Sequence, residues 1–266
     1  FEVVYQFTSN ATGCTNTDTL TYTVVDPTIA VAGPDTTVCY NAPLLQLENF
    51  YPLSSVTWSG LSAEASVALL DSETGLINPQ LLLPGDYEFM IEFGTGTCYS
   101  SDTVVVTIDS LPILNVTGSD VFCVNEGEVS LSSFSPFGGT WEGDGVVDSQ
   151  AGTFNSGIGV GDWDLIYWYT DPLTSCSDTT THVVTILDIP TVFAGDDVEF
   201  CNQPIPSTLE GFSPGLSDGG SGEFYGLGDA FGAISPDGIV DPSFTGVGSF
   251  EVVYQFTSNA TGCTNT

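Results

Sequence analysis

Three stretches of this chain alternate apolar and polar side chains with a strict period of two: GDYEFMIEF from Gly85, GDWDLIYWY from Gly161 and GSFEVVYQF from Gly248. Tyr87, Phe89, Ile91 and Phe93 share one face of the first. Trp163, Leu165, Tyr167 and Tyr169 do so in the second, and Phe250, Val252, Tyr254 and Phe256 in the third. Neighbouring side chains on a strand point to opposite faces, so this period predicts strands with one buried face. A Thr/Val-rich strand follows the first two, DTVVVTID and DTTTHVVTILD, and its counterpart DTLTYTVVD lies near the N-terminus. No window combines a helical period with a cap. Met90, Ile166, Trp168 and Val253 fall on the opposite, outward face. Trp168 is costly to leave in water, so these four predict a lateral contact with a neighbouring chain or module. Ordinary surface hydrophobicity is the plainer alternative.

The pattern repeats on two scales. FEVVYQFTSNATGCTNT opens the chain at Phe1 and closes it at Phe250, an offset of 249 residues. The chain therefore reads as a window on a tandem array. Inside one period the motif C-x7-L-x2-F-x-P occurs three times: Cys39, Leu47, Phe50, Pro52; Cys123, Leu131, Phe134, Pro136; and Cys201, Leu209, Phe212, Pro214. Each is followed by an aromatic residue with Gly two positions on, at Trp58, Trp141 and Phe224, then by the alternating strand and a second cysteine. Expected boundaries are 1–26 (closing strands of a module), 27–109, 110–188 and 189–266 (last strand cut short). Short strands, Gly/Pro turns and modules of about 80 residues predict an all-β chain of tandem immunoglobulin-like antiparallel β-sandwiches. The linkers DPTIAVAG, DSLPILNVTG and DIPTVFAG each carry a proline, which fixes φ and removes a donor. Stiff joints would arrange the modules as a rod advancing about 35–40 Å per module.

Charge narrows the function. The 266 residues include 34 Asp and Glu and no Lys or Arg, a formal net charge of −34. Nucleic acid and anionic membrane surfaces require basic contacts and are excluded as partners. Self-repulsion at this charge calls for screening, as a salty extracellular medium provides. Apolar residues make up 41% and aromatics 12%, enough for packed cores rather than acidic disorder. No apolar run is long enough to insert in a membrane.

Seven isolated cysteines, at 14, 39, 98, 123, 176, 201 and 263, suggest disulfides in an oxidising compartment. Two pairings are open. Within modules they are Cys39–Cys98, Cys123–Cys176 and Cys201–Cys263, with the partner of Cys14 outside the window. Across joints they are Cys14–Cys39, Cys98–Cys123 and Cys176–Cys201, each 25 residues apart. A last strand and a first strand placed end to end hold their cysteines beyond the roughly 4.4–6.8 Å that a disulfide needs. The pairing within modules is therefore the expectation.

Other chemistry is sparse. Glu142, Asp144 and Asp148 form the best candidate calcium cluster, alongside Asp196, Asp197 and Glu199 and the pair Asp162 and Asp164. Calcium requires six to eight oxygens, and no EF-hand loop is present. No other cofactor is expected. His182 is the sole histidine and reads as a strand residue. One histidine supports no nucleophile–base arrangement, so the chain does not read as an enzyme. Sequons occur at Asn10, Asn115 and Asn259.

The run AGPDTTVC … WSG … PGDYEFMIEF … C … SDTVVVTI resembles the Ig-like/PKD-like tandem repeats of giant type IX-secreted surface adhesins and filaments of gliding Bacteroidota. The resemblance covers the chain module by module. It implies an extracellular, cell-attached fibre whose repeats form a stalk or an adhesive surface. It also implies O-glycans at D-[S/T]-[aliphatic or Thr], which here gives Thr19, Thr36, Thr103, Ser110 and Thr179. The expected function is the shaft of a long extracellular adhesin or appendage filament, with identical neighbouring repeats as partners. The alternative is a calcium-stiffened module that binds glycans or cell surfaces directly.

Overall fold

The computed structural model describes residues 1–24, 29–95, 98–116, 118–132 and 134–266. The expected joint at 26/27 and Thr117 of the Asn115 sequon lie outside them. Two compact units are present: Phe1–Leu111 with Asp171–Cys176, and Pro112–Thr170 with Ser177–Thr266.

The first unit opens with a hairpin, β1 (Glu2–Thr8) and β2 (Thr15–Thr21), in register from Glu2 opposite Thr21 to Thr8 opposite Thr15. A four-stranded sheet follows, made of β3 (Thr36–Cys39), β4 (Val56–Gly60), β5 (Gly85–Thr95) and β6 (Cys98–Asp109), in the order β3-β6-β5-β4. β5 is antiparallel to both neighbours, whereas β3 runs parallel to β6. Three short strands, Leu45–Gln46, Leu69–Asp71 and Leu76–Ile77, form a second sheet that shares the core with the first.

The second unit repeats this plan with β7 (Asp120–Cys123), β8 (Thr140–Glu142), β9 (Gly161–Thr170) and β10 (Ser177–Leu187), ordered β7-β10-β9-β8. Again the first strand is parallel to the last. It continues into a further antiparallel sheet of β11 (Gly220–Gly226), β12 (Val252–Ser258) and β13 (Thr264–Asn265). The fold is all-β and built of immunoglobulin-like sandwiches. Glu199–Cys201, the counterpart of β3 and β7, forms no strand; its expected partner, the last strand, amounts here to Thr264–Asn265.

The period-two pattern becomes the core. Phe89, Ile91, Leu165, Tyr167, Tyr254 and Phe256 are buried, and the flanking Tyr87, Phe93, Trp163, Tyr169 and Val252 pack on their clusters. The L-x2-F-x-P motif and the aromatic after it make one contact, built three times. Phe50 meets Trp58 edge-on, Phe134 meets Trp141, and Phe212 meets Phe224, with ring centroids 5.5, 5.2 and 5.0 Å apart. The prolines of the motif all follow cis peptide bonds. Gly75, Gly152 and Gly238, at φ of +74°, +69° and +79°, lie flat against Trp58, Trp141 and Phe224. A Cβ on any of them would come within 3.0 Å of the ring. That close approach encloses the indole nitrogens of Trp58 and Trp141, which are buried without a hydrogen-bond partner.

Two departures from the sequence reading stand out. Ala63–Ala68 is helical, capped by the Ser62 hydroxyl accepting from the Ala65 amide at 3.0 Å, with Ala65 and Ala68 buried. Six residues are too few to display a helical period. A second short helix spans Pro242–Thr245. The duplicated terminal segment also takes two environments: Tyr254 and Phe256 are 1% and 2% exposed, but the identical Tyr5 and Phe7 are 68% and 59% exposed.

Replacing Gly152 by Ala should destabilise the fold by more than the roughly 1–2 kcal/mol that a left-handed backbone costs a residue with a Cβ, because the methyl also meets the indole. Gly127→Ala, at φ +78° with nothing within 4 Å, should show the backbone cost alone. Urea midpoints of the two variants measure the difference. Alkali supplies a second check. Burial raises the Tyr167 phenol, and burial followed by the charge of Asp218 raises that of Tyr254. The folded state holds these protons more tightly than the unfolded one, so their contribution is intact below the ordinary phenol pKa of about 10 and is lost as pH climbs above it. Tyrosinate absorbance and loss of β-sheet circular dichroism should rise together in that range.

Candidate functional site: the cystine-bonded turns

The chain's distinctive chemistry lies in its sulfur. Cys39 is bonded to Cys176 and Cys123 to Cys263, with Cα–Cα distances of 5.5 and 5.7 Å. Neither expected pairing is present, and the strand directions explain why. β3 runs parallel to β6 with Cys39 beside Asp109, while Cys98 begins β6 eleven residues earlier. At about 3.3 Å per residue that is roughly 36 Å. The same holds for Cys123, which lies beside Leu187, eleven residues beyond Cys176. The first and second cysteines of one motif copy thus sit at opposite ends of the same sheet. Each first cysteine is bonded instead to the turn cysteine of the next copy.

The turns are built alike. In ATGC and LTSC a threonine two residues before the cysteine accepts from its amide, at 3.1 Å for Thr261 and Cys263 and 3.2 Å for Thr174 and Cys176. The Asn125 side chain donates to the Thr264 carbonyl at 3.0 Å, tying the Cys263 turn to the segment after Cys123. Cys176 and Cys263 are fully buried. Cys14, Cys98 and Cys201 are unbridged and exposed.

The remaining candidates fall in separate places. The sole histidine, His182, is 3% exposed, and its Nε2 lies 3.0 Å from Asp120 Oδ2 inside the core, with Trp141 edge-on. Its position on β10 agrees with a strand role. Glu142, Asp144 and Asp148 are exposed, and Asp148 Oδ1 already accepts from the Gln150 and Ala151 amides. Among the described residues no three His, Cys, Asp or Glu gather as a metal site requires. An open groove of about 450 Å³ lined by Leu227, Phe250, Asp229 and Glu251 offers two carboxylates, short of a calcium shell.

Thr19, Thr103, Ser110 and Thr179 are exposed, and Thr36 is half-buried. Register places Thr103 directly across from Met90, Thr179 across from Trp168, and Thr19 across from Val4. Cross-strand partners share a face, so within each hairpin the outward apolar residue and the threonine lie side by side. Trp168 and Ile166 are 51% and 42% exposed, whereas Met90 and Val253 are half-buried. Sequence reasoning had found both sets without linking them.

No protein-family model matches the chain, and no curated protein matches it. Among solved structures it aligns with human protocadherin-24 EC1-2 at 8% identity and TM-score 0.31, over 62% of this chain and all of that one. A SusE-like surface-located polysaccharide-binding protein of Bacteroides thetaiotaomicron aligns at 12% identity and TM-score 0.35, over 86% of this chain and 56% of that one. Drosophila N-cadherin EC1-4 aligns at 12% and 0.25, over 99% and 81%. At these scores the likenesses carry no functional weight.

Reduction should cost this protein heavily. The bonds close loops with sequence separations of 137 and 140, each contributing about 5 kcal/mol by the chain-entropy estimate. The expected result is a large fall in melting temperature with dithiothreitol. Alkylation before reduction should mark Cys14, Cys98 and Cys201 and spare the other four.

Proposed function

We propose that the chain is a structural repeat in the shaft of a long extracellular adhesin or cell-surface appendage filament. The carrying observation is that both bonded cysteine pairs join consecutive motif copies, which suits a thread that must not come apart under pull. Disulfides fit an oxidising, extracellular setting. A surface of one charge sign, repelling its own kind, keeps such threads separate at low salt. Repetition supplies reach, since units of this sort contact chiefly their neighbours.

O-linked sugars are part of this reading. Thr19, Thr103 and Thr179 recur at one station of the last strand, beside outward apolar residues. A sugar there would rest on the same face as Met90 in one hairpin and Trp168 in the other, the face otherwise open to a neighbouring chain. Intact-mass measurement of the secreted protein, with Thr103→Ala and Thr179→Ala variants, tests this; an unmodified mass in the native protein removes the sugars.

The shaft itself is tested by electron microscopy of a multi-repeat array. Thin threads that lengthen in proportion to repeat number support it, and compact particles overturn it. Thermal melting adds a charge test. Sodium chloride should raise the midpoint by screening the −34 charge, while EDTA at constant ionic strength should leave it unchanged. A fall with EDTA would favour the calcium-stiffened alternative.

A further inference from the structure

Both bonds obey one rule: the first cysteine of a motif copy takes the turn cysteine of the next. The 249-residue period extends this rule to the three unbridged thiols. We infer that this chain is covalently joined to further copies of itself, Cys201 to Cys98 of the following copy and Cys14 to Cys123 of the preceding one. The inference rests on the tandem-array reading.

Three observations support it. Cys14 and Cys263 are the same position of an identical seventeen-residue segment, and Cys263 is bonded to Cys123. The two hairpins share a register, Phe7 opposite Asn16 and Phe256 opposite Asn265. Yet Tyr254 packs on Phe212 and Phe224, at 5.1 and 4.6 Å between centroids, while Tyr5 is exposed. The occupant that fits the bare hairpin face is therefore a copy of the surface built by Phe212 and Phe224. Finally, Cys98 stands eight residues before Val106, and Cys176 eight before Val184. Val106 and Val184 hold the same station, beside Thr36 and Asp120 of the parallel strands. Cys98 thus lies at the same end of its sheet as the bonded Cys176.

Each bond forms from two thiols, which lose two protons and two electrons. A disulfide donor accepts the electrons and becomes two thiols.

The rule gives meaning to a constant spacing. From turn cysteine to next first cysteine is 25 residues each time: 14 to 39, 98 to 123 and 176 to 201. In an oxidised array these connectors alternate with disulfides into two interleaved, unbroken covalent paths, 14–39 and 176–201 on one and 98–123 on the other. One connector with its bond passes two repeats. Twenty-five residues reach at most about 90 Å, whereas the roughly 166 residues of two repeats would reach about 580 Å. The interior of each sandwich spans from one of these paths to the other, as from Cys39 on the first to Cys98 on the second.

The test is a tandem polypeptide, residues 1–249 followed by the full 266-residue chain, oxidised with glutathione disulfide. It is digested with pepsin, since the chain has no tryptic site, and mapped by mass spectrometry without reduction. The expected product links Cys201 to Cys98 of the second copy, and Cys201→Ser should leave that Cys98 open to alkylation with the other bonds intact. A Cys201–Cys263 link, or both thiols free, overturns the inference. Force–extension of a longer array separates it from the shaft reading: the reduced array should stretch about sixfold further than the oxidised one. Equal extension despite the mapped bonds would overturn the load path, whereas compact particles under the microscope would fault the shaft alone.

Discussion

The parallel pairing of a four-residue strand with the long closing strand is the constraint on which the rest depends. Because β3 lies along β6 with Cys39 beside Asp109, one thiol is carried to one end of the sheet and the other stays at the opposite end. The same geometry recurs in β7 and β10. With these ends separated by about 36 Å, a sandwich is unable to close its own disulfide. Sulfur at each end is left to look for a partner in the adjoining copy. Cross-linking between copies is thus a consequence of strand direction, not an addition to it.

Composition closes the other routes to fastening. With no Lys or Arg, the chain has no ion pairs of the usual kind and no side-chain amine for an isopeptide bond. Among the described residues the ion pair is His182 with Asp120, buried within one core. Cohesion inside each sandwich comes from apolar burial, and above all from the edge-on aromatic pair pinned by a flat glycine. Holding copies together falls to cystine, because the hairpin face of Tyr254 and Phe256 is buried in the core of its own sandwich.

Much of this was legible in the letters. Alternation at 87–93, 163–169 and 250–256 named the inward residues, because period two has one physical meaning on a pleated strand. The motif spacing marked Leu47, Phe50 and Trp58 as a unit before their contact was seen. Bond pairing was not legible. Spacing along the chain says nothing of strand direction, and the reading assumed that a shared module brings its cysteines together. A parallel first strand is the missing signal, and four residues such as TTVC carry no mark of direction. The helix at Ala63–Ala68 escaped for a related reason: its stability comes from Ala65 and Ala68 packed in the core rather than from a pattern along its length. The pairing of Thr103 with Met90 and Thr179 with Trp168 required register, which pairs residues that lie more than ten positions apart in sequence.

Complete burial of Cys176 and Cys263 bears on how such a thread would age. Thiol exchange requires an attacking thiolate to reach a sulfur, and a sulfur shut inside packed side chains offers no approach. Reductants in the surroundings therefore meet the bond only from the half-buried side of Cys39 or Cys123, or after the turn has peeled away. Chemical wear becomes coupled to local opening: exchange at Cys176 or Cys263 waits for the hairpin to lift, and until then only the half-buried sulfur of Cys39 or Cys123 is open to attack.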